Sequence, residues 1–331
     1  MPDFGPGIFL QVDLSVIIVN WNGSELLRRA VESVINYPPS IDYEIVVIDN
    51  SSTDDSVALL RGSDSARALG SRLQIVENQL NLGFGRANNQ AFALTDSPLL
   101  LLLNPDTQVT PGSIDRLIET LESNPGAGAV GPRLLNADGS LQISVWRNPP
   151  AAWEIMLSQL KLYRLLPRRF RGELLLGGHW DHNREREVPM LSGAAMLVRR
   201  KVLEDVGGFD ERFHMYGEDN EWCLRIVRSG WQLIFQPAAV VLHYGAQSSL
   251  QRWNNLEKLR VQLEANYFFQ QHALPRRRLI TNQLASYVTA LGQHWWRRIR
   301  GTEAPELKLA KEIHAKNLKR ALRAEPRAAG E

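Results

Sequence analysis

Leu14-Ser-Val-Ile-Ile-Val-Asn20-Trp-Asn-Gly23 sets the architecture of this chain. Its first six residues form an almost unbroken, largely β-branched apolar run, the composition of a strand buried on both faces. The run stops at Asn20, Trp21-Asn-Gly23 reads as a turn, and Ser24 is a good N-cap for a helix over Glu25–Asn36 that Pro38 and Pro39 end. A second run, Tyr43-Glu-Ile-Val-Val-Ile-Asp49, has the same character and gives way to the polar loop Asp49-Asn-Ser-Ser-Thr-Asp-Asp-Ser56 and a helix over 57–69. Further on, strands are predicted over 73–77, 99–103 and 127–135, alternating with helices that begin in Asn81-Leu-Gly-Phe-Gly-Arg-Ala-Asn-Asn-Gln90 and over 112–123. Strands alternating with helices of this length specify βαβ units, hence an α/β fold with a mostly parallel, Rossmann-like sheet flanked by helices. Ligands of such sheets sit beyond the carboxyl ends of the strands. The polar loops starting at Asn20, Asp49, Asn81 and Asn104 all fall at or near that edge.

Composition narrows the classes. The chain has 331 residues, 44% of them hydrophobic, enough for a large core. A net charge of +2 gives no global field calling for nucleic acid. Cys223 is the only cysteine, which excludes an intrachain disulfide and fits a reducing compartment. The N-terminus carries no basic region followed by a long apolar stretch, so a secretory signal is not expected. No apolar run reaches the roughly 20 residues of a membrane span. Internal repeats and low-complexity blocks are absent. No Gly-x-Gly-x-x-Gly follows the first strand, which argues against a dehydrogenase.

Residues 136–190 are less regular: Asp138-Gly139 signals a hairpin turn, and Trp146, Trp153, Tyr163 and Trp180 lie among arginines. An apolar segment over 189–199 then leads to Gly207-Gly-Phe-Asp-Glu-Arg-Phe-His-Met-Tyr-Gly-Glu-Asp-Asn-Glu-Trp-Cys-Leu-Arg225. Gly207 and Gly208 read as a helix stop, Gly217 ends the loop, and a helix over 218–229 carries Glu218, Asp219 and Glu221 in its first turn. Acids there suit the helix dipole. They also suit a general base at the mouth of a pocket, and both readings stand on these residues alone. Short strands over 232–236 and 239–242 lead to His243-Tyr-Gly-Ala-Gln-Ser248, and from about Ser249 the pattern becomes long basic helices.

Val19-Asn-Trp-Asn-Gly23, Val47-Ile-Asp-Asn-Ser-Ser-Thr-Asp54, Asn81-Leu-Gly-Phe-Gly-Arg-Ala-Asn-Asn89, Leu103-Asn-Pro-Asp-Thr107 and Gly217-Glu-Asp-Asn-Glu-Trp222, in that order, closely resemble the family 2 glycosyltransferases of the GT-A fold, and within them the rhamnosyltransferase-like group. The resemblance covers about residues 14–248. It implies a GT-A domain over 1–249, with a nucleotide-sugar half at about 14–135 and an acceptor half at about 136–249, followed by a helical, basic extension over 250–331. It also implies a nucleotide-sugar donor, a divalent metal (Mg²⁺ or Mn²⁺) and inversion at the anomeric carbon.

The residue roles follow from the resemblance and from the chemistry of the side chains. Asp49, at a strand end, suits the imide N–H of uracil or thymine; a capping Asp is the plain alternative. Asn20 and Asn22 suit base or ribose contacts, although turn asparagines are ordinary. The 81–89 loop meets a helix N-terminus, a natural anion site. Family members often carry arginine where this chain has Asn88, whereas here the arginine is Arg86, so both are nucleotide-site candidates. Asn104-Pro-Asp106 stands where the family has Asp-x-Asp: Asp106 is the metal ligand, and Asn104 a nucleotide contact that lowers the charge of the site. His243 resembles the later histidine that completes the metal shell or touches the diphosphate; a structural histidine is the alternative. Asp219 takes the role of base and Glu218 orients the loop or the acceptor. Tyr216 and Trp222 are placed against the acceptor sugar, with core packing the alternative for Trp222.

The donor the motifs resemble most is dTDP-L-rhamnose, used in bacterial surface polysaccharide assembly with a glycan or lipid-linked glycan acceptor. A UDP-sugar-dependent transferase of another sugar stays open, and so does a non-catalytic nucleotide- or glycan-binding protein. A nucleotidyltransferase would need a basic Gly-rich loop near the first strand, which Trp21-Asn-Gly23 lacks. The expected location is cytoplasmic, including the inner face of the membrane. Leu165-Leu-Pro-Arg-Arg-Phe-Arg171 and Trp295-Trp-Arg-Arg-Ile-Arg300 fit contact with an anionic membrane surface, or a solvated face or homo-oligomer contact through the C-terminal helices.

Overall fold

A computed structural model describes residues 12–146, 149–213, 215–245, 254–302 and 304–323. The expected lead-in before Val12 and the end of the 243–248 stretch lie outside the described residues. The chain forms two compact units, residues 1–146 with 182–248 and residues 147–181 with 249–331.

The first unit is a mixed sheet covered by helices. It runs β1 Leu14–Asn20, α1 Ser24–Asn36, β2 Tyr43–Asp49, α2 Ser56–Arg61, α3 Asp64–Leu69, β3 Leu73–Glu77, α4 Phe84–Ala93, β4 Leu99–Leu103, β5 Thr107–Val109, α5 Ser113–Ser123, β6 Ala127–Leu135 and β7 Leu141–Gln142. After residue 182 come β8 Arg186–Glu187, β9 Ala195–Arg199, helices Arg200–Val206 and Glu218–Arg228, and β10 Gln232–His243. The strand order is β3-β2-β1-β4-β9-β6-β10-β5. Every residue of β1 is buried, as its apolar run requires. α1 turns Leu27, Ala30, Val31 and Val34 onto the sheet, and α5 does the same with Ile114, Leu117, Ile118 and Leu121.

The mostly parallel character expected of the sheet holds from β3 through β4 and between β6 and β10; β9 lies antiparallel between β4 and β6. A short apolar strand carries no mark of its direction, and β9 reaches the sheet after a long excursion rather than through a βαβ crossover. The two short strands expected near 232–242 are one strand, β10, with its register shifted against β6 between Gln236 and Val240, around Pro237, which has no N–H to give the ladder. Ser24 does not cap α1 through its side chain; its backbone N–H donates to Asp54 Oδ2 at 2.8 Å.

The second unit is helical: Ala152–Gln159, Arg168–Leu175, Asn255–Ala273, Arg276–Ile299 and Pro305–Arg323. Asn254 caps the third of these by accepting from the N–H groups of Leu256 and Glu257. Among the described residues no helix is long and apolar enough to cross a membrane.

Candidate active site

The site grows from strand ends brought to one rim. Parallel pairing sets Asn20 beside Asp49, and Ile18 beside Leu103, so the turns after β1, β2 and β4 open on the same side. Both Asn20 and Asp49 are buried. Asn20 Nδ2 donates to Asp49 Oδ1 at 2.7 Å, to Ser56 Oγ at 2.9 Å and to Ser52 Oγ at 3.1 Å. Ser52 in turn donates to Asp49 through Oγ (2.6 Å) and N–H (2.9 Å). The carboxylate is therefore held rigidly, with Oδ2 carrying a single hydrogen bond among the described residues and a lone pair left for a base N–H. Asn22, at φ 50°, accepts the Thr53 N–H on its Oδ1 at 2.8 Å and so ties the two loops together. Asn22 and Asn20 thus build the pocket edge, and the serines that brace it were not singled out by sequence.

The turn after β4 meets the end of β10. Antiparallel pairing places His243 opposite Thr107. His243 Nε2 lies 3.2 Å from Asp106 Oδ1 and 3.4 Å from Asn104 Nδ2. Its Nδ1 faces Gln142 Oε1 at 2.5 Å, while Gln142 Nε2 donates to Asn136 Oδ1. Because the Gln142 oxygen can only accept, Nδ1 carries the proton, and in the neutral ring the Nε2 lone pair points at the carboxylate. Two electron-rich atoms at that separation are the donor set a shared divalent cation would satisfy. Among the described residues no group of three or more His, Cys, Asp or Glu could hold a metal, so Asp106 and His243 form a pair and not a closed metal site. Gln142 was not anticipated; it sits in β7, which the Asp138-Gly139 turn returns to β6.

The third element is the N-terminus of helix Glu218–Arg228. Asn104 N–H donates to Ala194 O, and the neighbouring Gly193 N–H donates to Asp219 Oδ2 at 3.2 Å, so a two-residue bridge joins the turn after β4 to Asp219. A Cβ at Gly193 would stand 3.3 Å from the Asp219 Cβ, which is why the chain narrows there. Asp219 Oδ1 accepts from Asn220 N–H and Nδ2, and Asn220 Oδ1 accepts from Trp146 Nε1 at 3.1 Å. Trp146 Nε1 can only donate, so this contact orients the amide and turns its NH₂ to Asp219. Asp219 keeps part of its surface in water, but burial still raises its pKa against the opposing Gly193 and Asn220 bonds. Glu218 is buried, and its Oε2 has no partner among the described residues. Burial first, and the Asp219 charge second, lift its carboxyl well above the usual range. Burial thus raises both adjacent acids, with Glu218 inside and Asp219 towards the rim.

Three of the candidate side chains have partners within the protein. Trp222 is wholly buried, donates Nε1 to Gly207 O and packs against Phe209 at 4.5 Å between centroids, so it presents no face to a sugar. Asn88 is buried and its Nδ2 donates back to Phe84 O within α4. Arg86 pairs with Glu211 at 2.9 Å on an exposed surface. Tyr216 is half-buried in the left-handed region at φ 66°, directly before Gly217 at φ 93°. That pair forms the tight entry to the Asp219 helix.

Residues 15–207 match the family described as Glycosyl transferase family 2, and residues 169–299 match Glycosyl transferase family group 2. An N-acetylglucosaminyl-diphospho-decaprenol L-rhamnosyltransferase of Mycobacterium tuberculosis is 30% identical over 262 residues, 71% of this chain and 77% of that protein. The O-antigen biosynthesis protein RfbC of Myxococcus xanthus is 26% identical over 71% of this chain and 17% of its own length. Among solved structures, GalNAc-T7 with UDP, GalNAc and Mn²⁺ superposes with a TM-score of 0.52 at 17% identity, over 78% of this chain and 50% of that one. The mannosyltransferase PcManGT of Pyrobaculum calidifontis, with GDP-Man and Mn²⁺, gives 0.51 at 16% identity, over 97% of this chain and 88% of that one. This chain therefore spans about half of the first of these structures and most of the second, and both likenesses concern the fold.

Proposed function

This chain belongs to glycosyl transferase family 2, and from that premise we propose that it moves L-rhamnose from dTDP-L-rhamnose, with inversion, onto a saccharide carried by a lipid diphosphate. The observation that carries the reading is the meeting, at one sheet rim, of the braced Asp49 carboxylate, the Asp106–His243 pair and Asp219. The rhamnosyltransferase relative supports the donor sugar and the lipid-diphosphate acceptor.

In this reading Asp49 receives the thymine imide N–H, and Asn20 and Asn22 hold the edge on which the nucleoside rests. Asp219 takes the proton of the acceptor hydroxyl on Oδ2 as that oxygen bonds to the anomeric carbon from the face opposite the nucleotide. The bond to the diphosphate oxygen breaks in the same displacement, and the electron pair leaves with dTDP. Asp106 and His243 would hold a divalent cation whose chemistry is to offset charge on the departing diphosphate. Glu218, neutral and buried, keeps a second negative charge away from Asp219. The proposed setting is cytoplasmic, at the inner face of the membrane where a lipid-linked acceptor is met.

The test is calorimetric titration with dTDP, UDP and GDP, with and without Mn²⁺, on wild type and Asp219→Asn. The expected result is a preference for dTDP, a Mn²⁺ requirement that Asp106→Ala weakens, and a variant that binds dTDP normally but transfers about 10²–10⁴-fold more slowly. Retained turnover in Asp219→Asn would remove the base assignment; equal affinity for GDP would remove the pyrimidine site.

A further inference from the structure

Helix Arg276–Ile299 of the second unit buries several polar side chains and exposes large apolar ones. Its buried residues include Asn282, Gln283, Ser286 and Thr289. Its exposed residues include Leu284, Val288, Leu291, Trp295 and Ile299, with Trp295 at 61% and Ile299 at 58%. Spacings of four, three, four and four residues put these five on one stripe of the helix, about 80° wide and ~22 Å long. Most of the inward polar groups are bonded: Asn282 Nδ2 donates to Pro150 O at 2.8 Å, Gln283 Nε2 to Gln270 Oε1 at 3.3 Å, and Thr289 Oγ1 to Ala285 O at 2.8 Å, while Asn282 Oδ1 has no partner among the described residues. A helix that meets water on its outer side shows the opposite arrangement.

Charge accompanies the stripe. The helix holds five arginines (276, 277, 278, 297 and 298) and no acidic residue. Among the described residues no carboxylate pairs with Arg297, Arg298 or Arg300, and Arg300 instead covers the Trp296 ring at 4.5 Å. The neighbouring helix Ala152–Gln159 is bonded to it through Gln293 Nε2 and Gln159 O at 2.5 Å, and exposes Trp153, Met156 and then Leu160 on one side of its own. Lys161 and Arg164 follow, and Leu165 is 83% exposed. A groove of about 970 Å³ between the two segments is lined by Leu160, Lys161, Trp296, Arg297, Arg300 and Leu307, among others.

We propose that this stripe lies on an anionic lipid bilayer, with Leu284, Val288, Leu291, Trp295 and Ile299 in the boundary between headgroups and acyl chains and with Arg277 and Arg298, which fall on and beside the stripe, on lipid phosphates. Tryptophan suits that boundary, since its ring is apolar and its N–H is wet. A second copy of the chain is the rival occupant, and the charge argues against it. Helix against helix sets these arginines facing identical cations, with no carboxylate on either helix to offset them. The proposal is independent of the sugar and acceptor assigned above, since membrane partition needs neither.

The test uses the full chain in flotation with vesicles of phosphatidylcholine, alone and with phosphatidylglycerol, and reads tryptophan emission alongside. Wild type is expected to float with the anionic vesicles, with a blue shift, and to detach as salt rises. Arg277→Glu with Arg298→Glu is expected to weaken partition by about fivefold per cation removed, so at least about 25-fold. Val288→Gln, Leu291→Gln and Trp295→Gln together are expected to abolish it while leaving the thermal midpoint, dTDP affinity and sedimentation coefficient unchanged. Failure of wild type to float overturns the proposal. So does a triple variant that still floats, one that melts far lower because the stripe is packed, or one whose sedimentation coefficient falls because a second copy had covered it.

Discussion

A methyl group at Gly23 would strike the Asn20–Asp49 edge, the nucleotide edge of the proposed function, at its most constrained point. A Cβ there would stand 2.3 Å from Asn20 Oδ1 and 3.5 Å from the Pro105 Cβ. The second distance is ordinary contact; the first cannot persist, so Asn20 has to turn. Gly23 has φ −82°, which alanine adopts freely, so the cost of Gly23→Ala is steric alone. Turning Asn20 breaks its clamp on Asp49, Ser56 and Ser52. One of those bonds reaches a carboxylate and the three share two N–H hydrogens, which together sets the loss at about 2–4 kcal/mol. Thermal unfolding should register that loss, and titration with dTDP should show weakened binding, because Asp49 loses its brace. The decisive arm is the double variant. Asn20→Ala removes the atom that Gly23→Ala strikes, so in that background the glycine substitution should cost no more than about 0.5 kcal/mol, and the pair should be coupled by most of the 2–4 kcal/mol. Simple additivity, or a Gly23→Ala protein with wild-type stability and affinity, would show that Asn20 does not govern this edge.

Three further tests address the other elements. Glu218 has its carboxyl raised from 4.5 to about 8, chiefly by burial, so its contribution to stability is complete below 4.5 and gone once the pH passes that higher value. Wild type should therefore lose stability relative to Glu218→Gln as pH rises across that window, and parallel curves would contradict a buried neutral acid. Gln142→Ala removes the acceptor that fixes the His243 ring; Mn²⁺ affinity in the presence of dTDP should fall about 10–100-fold while metal-free dTDP affinity stays, and an unchanged Mn²⁺ titration would place the cation elsewhere. Arg86→Ala breaks only an exposed ion pair and should cost no more than about 1 kcal/mol of stability with no effect on dTDP binding, so a tenfold affinity loss would return Arg86 to the nucleotide.

What sequence could and could not reveal here follows from periodicity. The rim was legible because Asn20, Asp49 and Asn104 are each the first polar residues after a buried run, and parallel pairing brings such ends together. Which member of a polar cluster faces the rim was harder, since adjacent helical residues differ by about 100°. Glu218 lies on the inward stripe with Trp222, Cys223 and Ile226, so Glu218 and Trp222 are buried together while Asp219 is turned towards Gly193. Asn88 likewise falls on the buried stripe of α4 with Gly85, Ala91 and Phe92, and Arg86 does not. Both placements were within reach of a helical wheel, whereas motif matching considers the order of residues and not their direction. Gln142 and Trp146 were out of reach, because each acts across a gap in sequence (to His243 and to Asn220) that only the folded sheet closes. The same periodicity, applied to Arg276–Ile299, puts polar side chains inside and leucine and tryptophan outside. A wheel assumes water as the solvent, so a helix that buries these amides and hydroxyls and exposes its leucine and tryptophan stripe is what the bilayer proposal accounts for.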